Sequence, residues 1–203
     1  MPHNITMSAF AVGKITVEEY FAMDEASEIP LEYHDGEIFP VVEATLQHAR
    51  IHMNAGICVE TRLKGSPCFA TINPRVRTTP RNYVVPDIAV VCGGFIRAAE
   101  SKDVCINPKV IVEIQSPSTA DYDRGGKFDL YCELPTFTEY VLIAQDKPKI
   151  DVFFKASDVK WILSKSEGLE SLVKIESLGI EIPAAEFYAG IEFPQPQNSM
   201  TQI

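Results

Sequence analysis

The sequence has no long uncharged apolar stretch, since no run approaches the roughly 20 residues that a transmembrane helix needs. Its first ten residues, Met-Pro-His-Asn-Ile-Thr-Met-Ser-Ala-Phe, also lack the basic cluster and apolar core of a secretory signal. We therefore expect a soluble protein that resides in the cytoplasm and has no membrane partner. The 203 residues are 46% hydrophobic and 23% charged, which excludes disordered, collagenous and coiled-coil chains.

Cysteine pairs with metal-binding spacing are also absent. The five cysteines lie ten or more residues apart, so no Cys-x-x-Cys motif exists to bind zinc or to carry out redox chemistry. An odd number of thiols in a reducing compartment indicates small buried apolar side chains. This interpretation applies to Cys58, Cys68, Cys92, Cys105 and Cys132.

Positive charge is scarce, because 18 basic and 28 acidic side chains give a formal net charge of −10. This balance argues against nucleic-acid binding by overall attraction, which grows with the number of phosphates neutralised. The segment 61–86 differs, because it holds five basic residues and no acidic one. Arg75, Arg77 and Arg81 in this segment are candidates for a DNA-facing surface. Alternatively, they are ordinary solvated residues of strands and loops.

Local patterns predict three helices. Thr16 and Glu19 match a capping box at the start of a short helix. Apolar residues recur at near-helical spacing over 43–64, which contains no proline and ends at Gly65, so we expect the principal helix there. A third helix is predicted over 123–134.

Strand patterns outnumber the helical ones. Asp35-Gly36 predicts a hairpin turn between two short strands within 31–39. Apolar or β-branched runs predict further strands at 68–72, 75–79, 83–92, 110–116, 139–144, 150–154, 159–163 and 169–175. The sequence therefore predicts an α/β chain.

Two acidic side chains fall in segments that are otherwise apolar. Asp87 precedes the run Ile-Ala-Val-Val, and Glu113 interrupts the predicted strand 110–116. An ionised carboxylate buried alone is costly, so each must pair with a cation, take up a proton or bind a metal. Arg124 and Lys127 follow on the next predicted helix. Two oxygen ligands on adjacent strands and a lysine are the groups that Mg²⁺-assisted phosphodiester hydrolysis needs.

Each of these residues also has a structural explanation. Asp87 can cap a turn, and Glu113 can form a buried ion pair with Arg124. Lys127 can be a solvated partner of Asp123, four residues earlier on the predicted helix. Taken together, their order along the chain favours a metal-dependent site.

Two histidines and two serines are weaker candidates. His48 and His52 lie four residues apart on the principal helix and share a face, as a metal pair would. The residues between them lack the glutamate of a zinc-peptidase motif, which disfavours an intrinsic zinc site. Ser116 and Ser118 have no His-Asp partners evident from the sequence, so serine-hydrolase chemistry is not indicated.

Four blocks resemble the signature of a known family. They are YVVPDIAVV at 83–91, VEIQSPST at 112–119, YDRGGKF at 122–128 and TEYVL at 138–142. They resemble blocks of the Uma-two family of restriction endonucleases, which belongs to the PD-(D/E)XK nuclease-like superfamily. The resemblance implies an α/β restriction-endonuclease-like core, with a central mixed β-sheet flanked by helices and a C-terminal β extension. The expected organisation is a single domain over 1–203, with the core at about 17–154, the extension at 155–193 and a tail at 194–203.

The same resemblance implies a set of site residues. Asp87 and Glu113 are the implied ligands of Mg²⁺, with Mn²⁺ as a substitute. Lys127 stands in for the catalytic lysine that usually follows the glutamate by two positions, where this chain has the neutral Gln115. The further implied catalytic or cleft-lining residues are Glu32, His48, Ser116 and Arg124.

We therefore expect a metal-dependent endonuclease that hydrolyses DNA phosphodiester bonds. A homodimer or higher homo-oligomer is expected by family analogy, because cutting both strands needs two sites. The alternative is a catalytically weak or inactive module that binds nucleic acid or protein and retains the nuclease fold. The net charge of −10 and the neutral Gln115 favour this alternative, whereas a divalent ion bound jointly by Asp87 and Glu113 would favour the nuclease.

Overall fold

The computed structural model describes residues 14–41, 45–116 and 120–193. Its helices are α1 (Val17–Ala26), α2 (Leu46–Arg62), α3 (Ala120–Arg124), α4 (Gly126–Cys132) and α5 (Ala184–Phe187). Its strands are β1 (Leu31–His34), β2 (Glu37–Pro40), β3 (Cys68–Ile72), β4 (Arg75–Thr79), β5 (Asn82–Val84), β6 (Ile88–Cys92), β7 (Arg97–Ala98), β8 (Ser101–Cys105), β9 (Pro108–Gln115), β10 (Glu139–Ala144), β11 (Lys149–Ser157), β12 (Lys160–Glu167), β13 (Leu172–Ile175) and β14 (Ile180–Pro183). None of the helices in these ranges has the length and apolar character needed to cross a membrane.

Six strands form a mixed sheet in the order β12-β11-β10-β9-β6-β3. The β9 and β10 strands are parallel, and the other neighbours are antiparallel. Helix α2 covers one face, where Ile51 and Val59 pack in a core with Val112. The opposite face holds Tyr131 of α4 and Tyr140 of β10 in a second core. The central strand β9 is therefore buried on both faces, in agreement with its nearly continuous apolar sequence.

A second sheet has the order β2-β1-β5-β4-β8-β7 and packs against α1. The capping box at the start of α1 is confirmed: Glu19 N–H donates to the Thr16 hydroxyl at 3.2 Å, and Thr16 N–H donates to the Glu19 carboxylate at 2.8 Å. The β1–β2 hairpin is also confirmed, with positive φ at Asp35 (49°) and Gly36 (98°). Positive φ at both central residues is what a tight two-residue hairpin turn requires.

The segment Val85-Pro86-Asp87 carries the chain from β5 in one sheet to β6 in the other. The single strand predicted over 83–92 is therefore wrong, because it is divided between two sheets. Pro86 has no N–H and cannot donate to a strand ladder, which explains the break. The division leaves Asp87 where the two sheets meet, beside the carboxyl end of β9.

Two helical predictions need adjustment. The helix predicted over 123–134 is two short helices, α3 and α4, because Gly125 has a non-helical backbone (φ −115°, ψ −93°). The principal helix runs over Leu46–Arg62, and residues 43 and 44 of its predicted range lie outside the described residues. The predicted tail at 194–203 and residues 117–119, which include Ser118, also lie outside them.

The expectation that all five cysteines are free and buried is wrong. Cys68 and Cys92 form a disulfide between directly paired residues of β3 and β6. Cys132 is exposed, whereas Cys58 and Cys105 are buried thiols. A separation of 24 residues gives no sign of this pairing, because it depends on the register of two strands.

Several strands were not predicted. The β7 and β8 strands are short, and their polar and buried residues come in blocks rather than in alternation, so they give no strand pattern. The β14 strand pairs with β13 in a hairpin that packs with α5 against α2 and the larger sheet. This hairpin is the β extension expected after the core.

Candidate active site

Asp87 and Glu113 meet where β6 and β9 end. Ile88 pairs with Val112 across the two antiparallel strands, so Asp87 and Glu113 are opposite each other one position further. The Ile114 N–H donates to Asp87 Oδ2 at 2.7 Å, and the Asp87 N–H donates to Glu113 Oε2 at 3.2 Å. The two acids are thus joined by backbone hydrogen bonds, and the turn-cap explanation of Asp87 does not account for these contacts.

Lys127 reaches this pair from α4. Its ammonium group lies 2.9 Å from Glu113 Oε1, 3.3 Å from Glu32 Oε1 and 3.3 Å from the carbonyl oxygen of Val85. An ammonium group has three N–H donors, and these contacts match all three. The Lys127 side chain is only 9% exposed, so it is not the solvated helical partner of Asp123 that the spacing alone allowed.

Tyr131 completes the environment of Glu113. It lies four residues after Lys127, on the same side of α4, and its hydroxyl donates to Glu113 Oε1 at 2.8 Å. The sequence analysis did not identify Tyr131 as a site residue. The spacing of four from Lys127 is the signal that could have indicated it.

Glu32 connects the hairpin of the second sheet to the cluster. Its Oε1 accepts the Val85 N–H at 2.9 Å, and its Oε2 lies 3.4 Å from Nε2 of His34. The Tyr122 hydroxyl lies 3.4 Å from the same ring. Lys127 therefore bridges Glu32 of one sheet and Glu113 of the other.

Burial has the largest effect on the carboxyl groups of this cluster. It raises the pKa of Glu113 to about 8, with Lys127 opposing the shift and the charges of Asp87 and Asp123 adding to it. Burial also disfavours ionised Asp87 and Glu32, but hydrogen bonds and nearby cations outweigh it and lower both pKa values. Burial acts against the ammonium of Lys127 too, yet Glu113 and Glu32 raise its pKa well above the ordinary value. Lys127 therefore stays charged, and Glu113 is the carboxyl group that takes up a proton, which relieves the excess negative charge of the cluster.

The two acids at the strand ends retain capacity for a cation. A carboxylate has about four acceptor positions. Among the described residues, the hydrogen bonds and ion pairs of these side chains occupy three positions on Glu113 and two on Asp87. The buried carboxylates of Glu113 and Glu32 share one ammonium, that of Lys127, and the partly exposed carboxylate of Asp87 lies beside them. Hard oxygen ligands with an excess of negative charge fit Mg²⁺ or Mn²⁺.

Gln115 and Arg124 lie beside this cluster and contact each other. Arg124 Nη2 donates to Gln115 Oε1 at 3.2 Å and forms an ion pair with Asp151 of β11. The buried Glu113–Arg124 pair considered from the sequence is therefore replaced by pairs of Glu113 with Lys127 and of Arg124 with Asp151. The Arg124 side chain is 37% exposed, and Ser116 is half-buried at the end of β9.

Both histidines of α2 contact Asp87. His48 Nε2 lies 3.4 Å from Asp87 Oδ2, and His52 Nε2 lies 2.7 Å from the Asp87 carbonyl oxygen. Thr45 caps the helix by accepting the His48 N–H at 3.1 Å, which fixes the first turn next to the site. His48 thus lies at the site, as the family resemblance implies.

The three arginines proposed to face DNA, Arg75, Arg77 and Arg81, are engaged in ion pairs. Arg75 pairs with Asp24 of α1, Arg77 pairs with Glu100 at 2.7 Å, and Arg81 pairs with Asp35. Arg75 and Arg77 lie on β4, whereas Arg81 lies in the turn that follows, so the three do not form one strand row. Their charge is compensated by acids that are distant in the sequence, which the local count of five cations could not show.

Comparisons with known proteins agree with this fold. A family profile named Uma2, described as "Putative restriction endonuclease", matches residues 17–185. The protein slr1290 of Synechocystis sp., described as uncharacterized, is 29% identical over 182 residues, which cover 89% of this chain and 94% of the relative. A second uncharacterized Synechocystis protein, sll1609, is 26% identical over 86% of this chain and its own full length.

A solved structure shows the same architecture. The crystal structure of "a putative nuclease belonging to DUF820" from Anabaena variabilis superposes with a TM-score of 0.70 at 19% sequence identity. The match covers 85% of this chain and 97% of that chain. The mixed sheet flanked by helices, which the sequence predicted, is therefore confirmed.

Proposed function

We propose, from the premise that the chain belongs to the Uma2 family of restriction endonucleases, that it hydrolyses DNA phosphodiester bonds with the help of a divalent metal ion. The observation that carries the proposal is the buried cluster at the strand ends, in which Asp87 and Glu113 are hydrogen-bonded to each other's strand. A structural ion pair with Lys127 would need only one of the two carboxylates that contact it, and it would not need Asp87 next to them.

Mg²⁺ is the proposed cofactor, with Mn²⁺ as a substitute, and Asp87 and Glu113 would hold it. When bound, such an ion activates water and offsets the charge that develops on the leaving oxygen. Glu113 must release its proton to serve as a ligand, because burial raises its pKa to about 8. Tyr131 and Lys127 both donate to Glu113 Oε1, so they orient this carboxylate and support its ionised form.

The two cations near the site are assigned different roles. Lys127 donates to three protein acceptors and is buried, so it acts on the reaction by positioning Glu113 and Glu32. Arg124 is more exposed and lies next to Gln115. Its planar guanidinium group suits a phosphate oxygen, and Asp151 holds it in place.

Cleavage assays test this proposal. Wild-type protein should cut plasmid, linear, single-stranded or branched DNA in Mg²⁺ or Mn²⁺ and should be inactive with chelator. Asp87→Asn and Glu113→Gln should abolish cleavage while folding normally. Glu170→Gln, at an exposed site, is the matched control and should retain full activity. Failure of the wild type on all four substrates, or equal activity in the three variants, would overturn the proposal.

The alternative function is a module that binds nucleic acid or protein without cutting. Two observations favour it: the donors of Lys127 are all used within the protein, and Gln115 supplies no charge. The net charge of −10 points the same way. Binding of DNA that is unaffected by Asp87→Asn, with no cleavage under any metal condition, would support this alternative.

Three further proposals concern the DNA-binding surface, the oligomeric state and the cellular location. A DNA surface formed by Arg75, Arg77 and Arg81 requires phosphates to replace the acids that now pair with them. We propose a homodimer because cutting both DNA strands needs two active sites. Analytical ultracentrifugation at several protein concentrations tests this proposal. A cytoplasmic location must be reconciled with the Cys68–Cys92 disulfide, because disulfides are rare in reducing compartments.

A further inference from the structure

Three side chains outside the Glu113–Lys127 contact converge on one point. Ligand atoms of His48, His52 and Asp87 all lie within 4.8 Å of one another. The two histidines are four residues apart on α2, so they project from the same face of the helix. All three side chains are partly exposed, which leaves access for an ion from solvent.

The separation between His48 and Asp87 suits a shared metal ion better than a direct hydrogen bond. His48 Nε2 lies 3.4 Å from Asp87 Oδ2, whereas a charge-assisted hydrogen bond closes to about 2.7–2.9 Å. Two ligands that are each about 2.0–2.2 Å from one zinc ion lie roughly 3.3–3.6 Å apart in tetrahedral geometry. The other ring nitrogen of His48, Nδ1, is buried and has no hydrogen-bond partner among the described residues.

One ring nitrogen of His52 makes a hydrogen bond to a backbone carbonyl, as is usual for histidines that bind a metal ion. Its Nε2 lies 2.7 Å from the Asp87 carbonyl oxygen, which can only accept, so Nε2 carries the proton. In the neutral ring this leaves the lone pair on Nδ1. A histidine ligand commonly donates its other N–H to a backbone carbonyl, which fixes the ring and its tautomer.

We propose that His48, His52 and Asp87 form a binding site for a divalent transition metal ion of the Zn²⁺ or Co²⁺ class. Two imidazoles and one carboxylate select such ions over Mg²⁺ and Ca²⁺, which prefer oxygen ligands alone. The site goes beyond the proposed hydrolysis, because it needs neither DNA nor Glu113. It shares Asp87 with the proposed magnesium site, so a bound transition metal ion withdraws this carboxylate from Mg²⁺.

Cobalt binding tests the site, because Co²⁺ reports nitrogen ligation through its visible absorption bands. The full chain, stripped with chelator, should bind one equivalent of Co²⁺ and should lose it to Zn²⁺ in competition. His48→Ala and His52→Ala should each weaken binding by at least the roughly 10–100-fold that loss of a supporting hydrogen bond costs. Arg50→Ala, an exposed change between the two histidines, is the matched control.

Two further variants separate this site from the magnesium site. His52→Gln retains an N–H donor for the Asp87 carbonyl and should still lose Co²⁺ affinity, which excludes mere unfolding of α2 as the cause. Glu113→Gln should change Co²⁺ affinity less than about threefold while it removes stabilisation by Mg²⁺. Co²⁺ binding that survives both histidine-to-alanine changes, or that disappears equally in Glu113→Gln, would overturn the proposal whether or not the protein cuts DNA.

Discussion

Glu113→Gln should stabilise the metal-free protein as the pH rises and should remove most of the stabilisation that Mg²⁺ gives to the wild type. In the metal-free protein, burial raises the pKa of Glu113 from 4.5 to about 8. A group whose pKa is higher in the folded state stabilises the fold fully below its unfolded pKa, and this contribution is lost as the pH rises to the folded pKa. Glutamine does not titrate, so the variant escapes this loss.

The magnitude follows from the two pKa values. A rise in pKa from 4.5 to about 8 corresponds to about 5 kcal/mol, at about 1.36 kcal/mol for each pH unit between them. Without metal, the wild type should therefore lose up to this amount relative to Glu113→Gln between pH 4.5 and about 8. With Mg²⁺ at about 100 times its dissociation constant, the wild type should gain about 2.7 kcal/mol, or roughly 5–11 °C in Tm.

Thermal melts from about pH 5 to about pH 8, in chelator and in Mg²⁺, provide the assay. Mg²⁺ is used because the histidine site should not bind it. Glu113→Gln should melt above the wild type at the upper end of this range in chelator and should lack most of the rise with Mg²⁺. Glu170→Gln controls for loss of one carboxylate at an exposed position. Parallel pH profiles, or the same metal increment in both proteins, would refute the reasoning about Glu113.

Three other predictions concern neighbouring residues. Lys127→Ala should lower single-turnover cleavage at saturating metal by about 10–100-fold, the cost of losing a group that orients a metal ligand, and Gln115→Leu should cost much less; equal defects would contradict the positioning role of Lys127. Tyr131→Phe should destabilise the protein by about 1–3 kcal/mol in denaturant titrations, because Glu113 loses a buried donor; an unchanged midpoint would contradict that bond. Replacing the three arginines 75, 77 and 81 by alanine should reduce the salt dependence of DNA binding by up to about 0.9 log units per lost phosphate contact, and an unchanged slope would place the interface elsewhere.

The sequence predicted features that depend on a few neighbouring residues. The capping box at Thr16, the Asp35-Gly36 turn and the strand Glu139–Ala144 were all predicted and all occur. Each is determined by local hydrogen bonds or by an apolar run long enough to be unambiguous. The proximity of Asp87 and Glu113 could also be anticipated. Two acidic side chains in buried strands both need a cation or a proton, and one shared cation can serve both.

Features that depend on the pairing of distant segments could not be predicted. Nothing in the run 83–92 shows that its halves belong to different sheets, apart from Pro86. The Cys68–Cys92 bond depends on the register of β3 against β6, and the short polar strand β8 is held by its neighbours. The acids that pair with Arg77 and Arg75 lie 23 and 51 residues away, beyond the reach of a local charge count.

The Lys127 ammonium has a mechanical consequence for the molecule as a whole. Glu32 belongs to one sheet, Glu113 belongs to the other, and both hold the same buried cation. Separating the sheets would leave the ammonium of Lys127 or one of its carboxylate partners buried without a counter-charge. The free-energy cost of this is far larger than that of breaking a surface ion pair. The two sheets already share a hydrophobic core, and Lys127 adds a buried charge link at the place where the proposed chemistry occurs, so we expect them to unfold as one cooperative unit.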